Sequence, residues 1–139
     1  MIREVPISMI MTQDVITLNK TDKLETAEHL FKKYKIRHIP VVNGQVIVGM
    51  LSYNDLLRLS FADITDEDDS TVDVLVNNMF TIDQVMTRNI ITVSASKSIK
   101  EVAELLASKE FHALPVVDNN TLKGIVTTTD LIKYLLKQF

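Results

Sequence analysis

Two aspartates, Asp55 and Asp130, each follow a hydroxyl side chain by three residues. They close the stretches Gly49-Met50-Leu51-Ser52-Tyr53-Asn54-Asp55 and Gly124-Ile125-Val126-Thr127-Thr128-Thr129-Asp130. In both, the apolar residues after the glycine read as the end of a strand and the aspartate as the opening of a helix. A strand-to-helix turn presents unpaired amide hydrogens at the positive end of the helix dipole, which suits a phosphate, while the aspartate suits a sugar diol. The same spacing, Ser52-x-x-Asp55 and Thr127-x-x-Asp130, is also that of a capping box, in which hydroxyl and acid satisfy the helix's own orphan donors. Spacing alone leaves both readings open.

The two stretches belong to a wider repeat at a constant offset of 75 residues. Met11-Thr12 matches Met86-Thr87, Ile16-Thr17 matches Ile91-Thr92, and Pro40-Val41-Val42 matches Pro115-Val116-Val117. Five pieces recur in order: a Met-Thr opening, an Ile-Thr strand, an apolar helix, a Leu/Ile-Pro-Val-Val strand and the closing Gly-x-x-Ser/Thr-x-x-Asp. On these pieces the chain, over roughly residues 5–57 and 80–133, resembles the CBS domain, whose tandem pair is called a Bateman module. The corresponding organisation is repeat 1 over 1–60, an acidic linker over 61–79 and repeat 2 over 80–139.

Several expectations come with that resemblance. The α+β repeats, each β-α-β-β-α, would pack about a pseudo-twofold axis, and such modules commonly pair through their helices, so a homodimer is expected. The ligand would be an adenosine derivative, AMP, ADP, ATP or S-adenosylmethionine, in the cleft between repeats. Asp55 and Asp130 would hold the ribose, Ser52 and Thr127 would reach phosphate, Thr17 and Thr92 would border the adenine, and Ile39 and Leu114 would offer it apolar faces. Arg37 and His112 occupy a position that carries a phosphate-contacting base in some family members, with His38 and Lys109 nearby; the other reading of Arg37 and Lys109 is a solvated surface charge, and that of His112 an interfacial hydrogen bond. Many family members place a base just before the closing aspartate. Here Asn54 and Thr129 stand there, which disfavours a triphosphate relative to AMP and leaves S-adenosylmethionine open. Tyr53 would either stack on a base or plug the first slot.

The elements that must position these groups are visible in the pattern. Asp14–Leu18 and Asn89–Val93 are β-branched runs of strand length. Leu24, Ala27, Leu30, Phe31 and Tyr34 fall at helical spacing, as do Ile99, Val102, Ala103, Leu105 and Leu106. Asp22-x-x-Glu25 and Ser98-x-x-Glu101 have the form of caps. Asn43-Gly44 between apolar runs marks a hairpin, with Asp118-Asn119-Asn120 as its glycine-free counterpart. Pro40 should open its strand or lie on an edge. The apolar lead-ins Val5, Ile7, Ile10, Met11 and Phe80, Ile82, Val85, Met86 are each expected to pack the edge of their own repeat.

Composition narrows the function classes. The 139 residues, 46% apolar, suffice for two small units sharing a core. There is no cysteine, hence no disulfide, thiolate nucleophile or Cys-based zinc site. No run approaches the length of about 18 apolar residues that a span needs, and the N-terminus lacks a signal pattern, so a cytoplasmic protein without membrane partner is expected. The net charge is −3, which argues against nucleic acid. Asp63, Asp66, Glu67, Asp68, Asp69 and Asp73 hold six of the 18 acidic residues, leaving 12 against 15 basic ones elsewhere. That mildly basic remainder suits a small anionic ligand. The acidic run reads as a solvated linker, with a short helix over Val72–Met79. His29, His38 and His112 lack metal-site spacing, and no nucleophile elbow, Walker loop or dinucleotide fingerprint is present. The expectation is therefore a non-catalytic, metal-free, regulatory and energy-sensing module that acts on a partner protein. A ligand-free dimerisation scaffold is the alternative.

Overall fold

The computed structural model describes residues 4–63, 80–109 and 112–139. The chain divides into two compact units, Ile16–Ile90 and Met1–Val15 with Ile91–Phe139. The acidic residues from Asp66 to Asp73 and the Val72–Met79 helix expected from sequence lie outside the described residues.

In the unit Ile16–Ile90 the order is β1 (Leu18–Asn19), α1 (Leu24–Tyr34), β2 (His38–Asn43), β3 (Val46–Ser52), α2 (Tyr53–Asp63) and a short α3 (Ile82–Val85). Strand β2 is flanked by β1 in parallel, Leu18 opposite Val41, and by β3 in antiparallel, Ile39 opposite Leu51. Leu24, Ala27 and Phe31 put one face of α1 into the core with Leu18, Ile39, Val41 and Leu51. The other unit has the same plan: β4 (Val93–Ser94), α4 (Ile99–Lys109), β5 (Ala113–Asp118), β6 (Thr121–Thr127) and α5 (Thr128–Lys137). Its core gathers Val93, Ile99, Val102, Leu106, Leu114, Val116 and Val126. The β-α-β-β-α plan thus stands in both units.

Three local expectations change. The strands expected over Asp14–Leu18 and Asn89–Val93 shrink to two residues each, because parallel pairing to β2 and β5 begins only at Leu18 and Val93. Lys23, not Asp22, is the N-cap of α1, and it has no side-chain cap; the Asp22 carboxylate instead accepts the Asn19 amide at 2.8 Å. Ser98 does cap α4, accepting the Glu101 amide at 3.1 Å. Pro40 sits third in β2 opposite Met50. The Met50 amide and carbonyl point away from β2, towards Thr87, so the ladder needs no hydrogen from Pro40, and on the other side the pairing of β2 with β1 begins only at Val41.

The hairpins turn on different residues to the same end. Gly44, at φ +68, and Gln45 connect β2 to β3, while Asn119 and Asn120, at φ +51 and +65, connect β5 to β6. Asparagine tolerates the left-handed region that a two-residue hairpin requires, so the second copy does without glycine. Each hairpin then bulges by one residue, at Val41/Val42 and at Val116/Val117.

The largest departure is in the lead-ins, which are exchanged. Val5, Ile7, Ile10 and Met11 pack on the core of the Ile91–Phe139 repeat, where Ile7 is wholly buried. Phe80, Ile82, Val85 and Met86 pack on the core of the first repeat, with Ile82 wholly buried. Hydrogen bonds fix the exchange: Ile7 N–H donates to Lys97 at 2.6 Å, Ile99 N–H donates to Val5 at 2.8 Å, and Thr12 and Ile125 bond each other's backbones at 2.8 and 3.0 Å. Met50 and Thr87 form the corresponding pair at 3.0 and 2.9 Å. No helix among the described residues is long and apolar enough to cross a membrane.

Candidate functional site

Each unit has a helix N-terminus built from the same four parts. At the end of β6, Thr127 is extended, with φ −119 and ψ 165, and α5 starts at once. The Asp130 amide donates to Thr127 Oγ1 at 3.1 Å, and the Thr127 amide donates to Asp130 Oδ2 at 2.9 Å. Ser52 and Asp55 repeat the arrangement at the start of α2, both bonds being 3.0 Å. The capping-box reading is therefore correct in both copies.

That reading does not exhaust the carboxylates, because the box uses a single oxygen of each. Asp130 Oδ1 faces the hydroxyl of Thr12, which donates to it at 3.5 Å. Asp55 Oδ1 lies 4.0 Å from Nη1 of Arg58, one turn along α2. A carboxylate clamped through one oxygen by its own helix is oriented in advance to accept, at the second, from a hydroxyl donor such as a ribose diol.

The next part is a carbonyl from the strand entering the sheet. The Thr128 amide donates to His112 O at 3.0 Å, and the Tyr53 amide donates to Arg37 O at 2.8 Å. These bonds tie Arg37 and His112, both exposed, to the helix N-termini. His38, half-buried, opens β2 opposite Ser52.

The last part is the exchanged lead-in. Thr12 and Thr87 pass so close to the glycines that open each motif that a Cβ at Gly124 would lie 2.8 Å from the Thr12 carbonyl oxygen. One at Gly49 would lie 3.0 Å from that of Thr87 and 2.5 Å from Met86 Sδ. Glycine is required at both places for the close approach.

The predicted residues divide accordingly. Ser52, Asp55, Arg37 and His38 come together in one unit, and Thr127, Asp130 and His112 in the other. Thr17 is exposed just before β1 and Thr92 half-buried just before β4, and Lys109 is exposed at the end of α4. Among the described residues no hydrogen bond or ion pair ties these three to either carboxylate. Ile39 and Leu114, at 0% and 1% exposure, are buried in the two cores. The Tyr53 ring meets Phe31 edge-on, 5.5 Å between centroids, and packs on the first core. Sequence reading passed over Thr12, Thr87 and Arg58 as site residues. The signal was present, since Thr12 and Thr87 recur at the 75-residue offset, and Arg58 matches another base, Lys133.

Comparison with known proteins agrees with this plan. A model of the CBS domain matches residues 2–62 and 82–137. MJ1225 of Methanocaldococcus jannaschii is 30% identical over 125 residues, an alignment covering 89% of this chain and 45% of that protein. The chain thus spans less than half the length of that relative, whose crystal structure superimposes with a TM-score of 0.82 over 95% of this chain and 48% of its own. CBSX2, a CBS-pair protein of Arabidopsis thaliana, solved in complex with AMP, is 25% identical with a TM-score of 0.79, covering 96% of this chain and 97% of that one. The CBS domain pair of MJ0100, in complex with 5′-methylthioadenosine and S-adenosyl-L-methionine, is 25% identical with a TM-score of 0.75, covering 94% and 99%.

Proposed function

The chain belongs to the CBS-domain family, as a tandem pair of repeats, and on that premise we propose that it is a non-catalytic regulatory module that binds an adenosine derivative and passes the change to a partner protein. The observation that carries this reading is the doubled carboxylate: Asp55 and Asp130 each cap a helix with Oδ2 and hold Oδ1 beside a hydroxyl or a guanidinium. A scaffold needs the cap but has no use for the second oxygen. Support also comes from CBSX2, solved with AMP, and MJ0100, solved with S-adenosyl-L-methionine, to which the chain is similar over nearly its whole length.

In this reading Asp55 and Asp130 take ribose hydroxyls, and Ser52 and Thr127 orient them. Thr17 and Thr92 border the base through side chain and adjoining backbone, and Arg37, His38, Lys109 and His112 are the cations available to phosphate. The module is a cytoplasmic homodimer. What supports the dimer is the end of the chain, where Ile132, Leu135 and Leu136 on α5 and Phe139 just beyond it are all more than half exposed, more apolar surface than a lone helix leaves to water.

A thermal-shift panel of adenosine, AMP, ADP, ATP and S-adenosylmethionine tests the function, because a ligand of the folded state raises Tm by mass action. AMP or ADP is expected to give a larger shift than ATP, given neutral Asn54 and Thr129. No shift from any compound would favour the scaffold.

A further inference from the structure

The two carboxylates have different neighbours, and the difference assigns a role to a side chain outside the repeated motif. Asp55 Oδ1 lies 4.0 Å from the Arg58 guanidinium, whose side chain is 81% exposed, against 18% for Asp55. Asp130 Oδ1 faces the neutral Thr12 hydroxyl instead. Among the described residues, Lys133, the counterpart of Arg58, forms no ion pair with Asp130.

We propose that Arg58 is a specificity-determining residue of the Asp55 site, supplying the cation for a 5′-phosphate that Asn54 does not supply. The inference rests on the adenosine-binding reading above and adds to it the phosphate partner and the site at which it acts. An exposed ion pair at 4.0 Å is weakly held, so ribose hydroxyls can take over Asp55 Oδ1 while Arg58 swings to the phosphate. The exchange keeps both charges paired, and the planar guanidinium matches phosphate oxygens two at a time. Adenosine without a phosphate breaks the Asp55–Arg58 pair and returns nothing to Arg58. At the Asp130 site the neutral Thr12 sets no such condition, so that site discriminates less between phosphorylated and unphosphorylated ligands.

Titration calorimetry of AMP and of adenosine on Asp130→Asn protein, with and without Arg58→Gln, reads the Asp55 site as the tighter of two resolved binding events. The expected result is that Arg58→Gln lowers AMP affinity about tenfold, equivalent to about 1.4 kcal/mol. Adenosine affinity holds or rises, because Asp55 no longer has to be released. Arg58→Lys should restore part of the AMP preference. If AMP and adenosine weaken together, or AMP affinity is unchanged while adenosine still binds, the role given to Arg58 is wrong and the adenosine site stands. If neither compound binds even the unaltered protein, the adenosine reading falls and this inference with it.

Discussion

Thr12 and Gly124 meet backbone to backbone, with the threonine carbonyl oxygen 2.8 Å from where a Cβ on the glycine would stand. This contact joins the lead-in to the sheet directly behind Thr127 and Asp130. The opening glycine of the motif is thus a docking point for the lead-in, and the Thr127–Asp130 capping box begins three residues later.

Substitution at the glycines should therefore rank by what the new Cβ meets. Gly124→Ala collides with backbone, which cannot yield without breaking the Thr12–Ile125 pair, and should cost about 1–3 kcal/mol. Gly49→Ala meets the flexible Met86 thioether most closely and should cost less. Gly44 has nothing within 4 Å of a new Cβ but stands at φ +68, so Gly44→Ala should cost about 1 kcal/mol through backbone conformation alone. Gly44→Asn should recover most of that, as Asn119 and Asn120 do in the other hairpin. Urea denaturation of the four variants measures the order.

Asp130→Asn should move two quantities at once. Asparagine retains an acceptor for the Thr127 amide, so stability should fall by no more than about 1 kcal/mol. Loss of the charge beside a ribose diol should weaken the ligand by about 1.5–3 kcal/mol, roughly ten- to a hundredfold. With the Tyr53 ring packed on Phe31, Asp55→Asn should have a comparable effect at the first site. Calorimetric titration with parallel melting curves separates the two effects; unchanged affinity in both variants would remove the carboxylates from the ligand site.

Much of this arrangement could be read from residue order. The β-α-β-β-α plan, both hairpins and the capping boxes of Asp55 and Asp130 rest on local spacing, where hydroxyl, acid and glycine act on neighbours three or four positions away. The destination of the lead-ins could not be read this way. The apolar spacing of Ile7 and Ile82 states that each must be buried, but the two repeats offer similar apolar cores, and only the path of the chain decides between them. The overlong strand expectation at Val15-Ile16-Thr17 has the same origin, since β-branching favours an extended chain but pairing needs a partner, and β2 offers one only from Val41.

Ile7→Ala should expose the exchange. Ile7 is 0% exposed in the core of the second repeat, and truncating a buried isoleucine costs about 2–5 kcal/mol. Hydrogen exchange should quicken in β5 and β6, some 110 residues along the chain, more than in β2 and β3. Ile82→Ala should do the reverse. Equal quickening in both sets of strands would show that the two units open as one.

On α5, Leu136→Glu places a charge on the most exposed of its three apolar residues inside the helix. Light scattering coupled to size exclusion should find a dimer for the unaltered chain at micromolar concentration and a monomer for the variant, with an unchanged circular dichroism spectrum. A monomer in both cases would discard the dimer.

The crossed lead-ins bear on how such a chain arises. If a single repeat with its own lead-in preceded the duplication, that segment would have had to reach the sheet of another molecule, since here neither lead-in lies on the repeat that follows it. The earliest form would then be an obligate pair of identical chains trading N-terminal arms. Fusion of two copies would turn that trade between molecules into one within a single chain, freeing assembly from dilution and letting the halves diverge, as Arg58 and Lys133, or Gly44 and Asn119, have done.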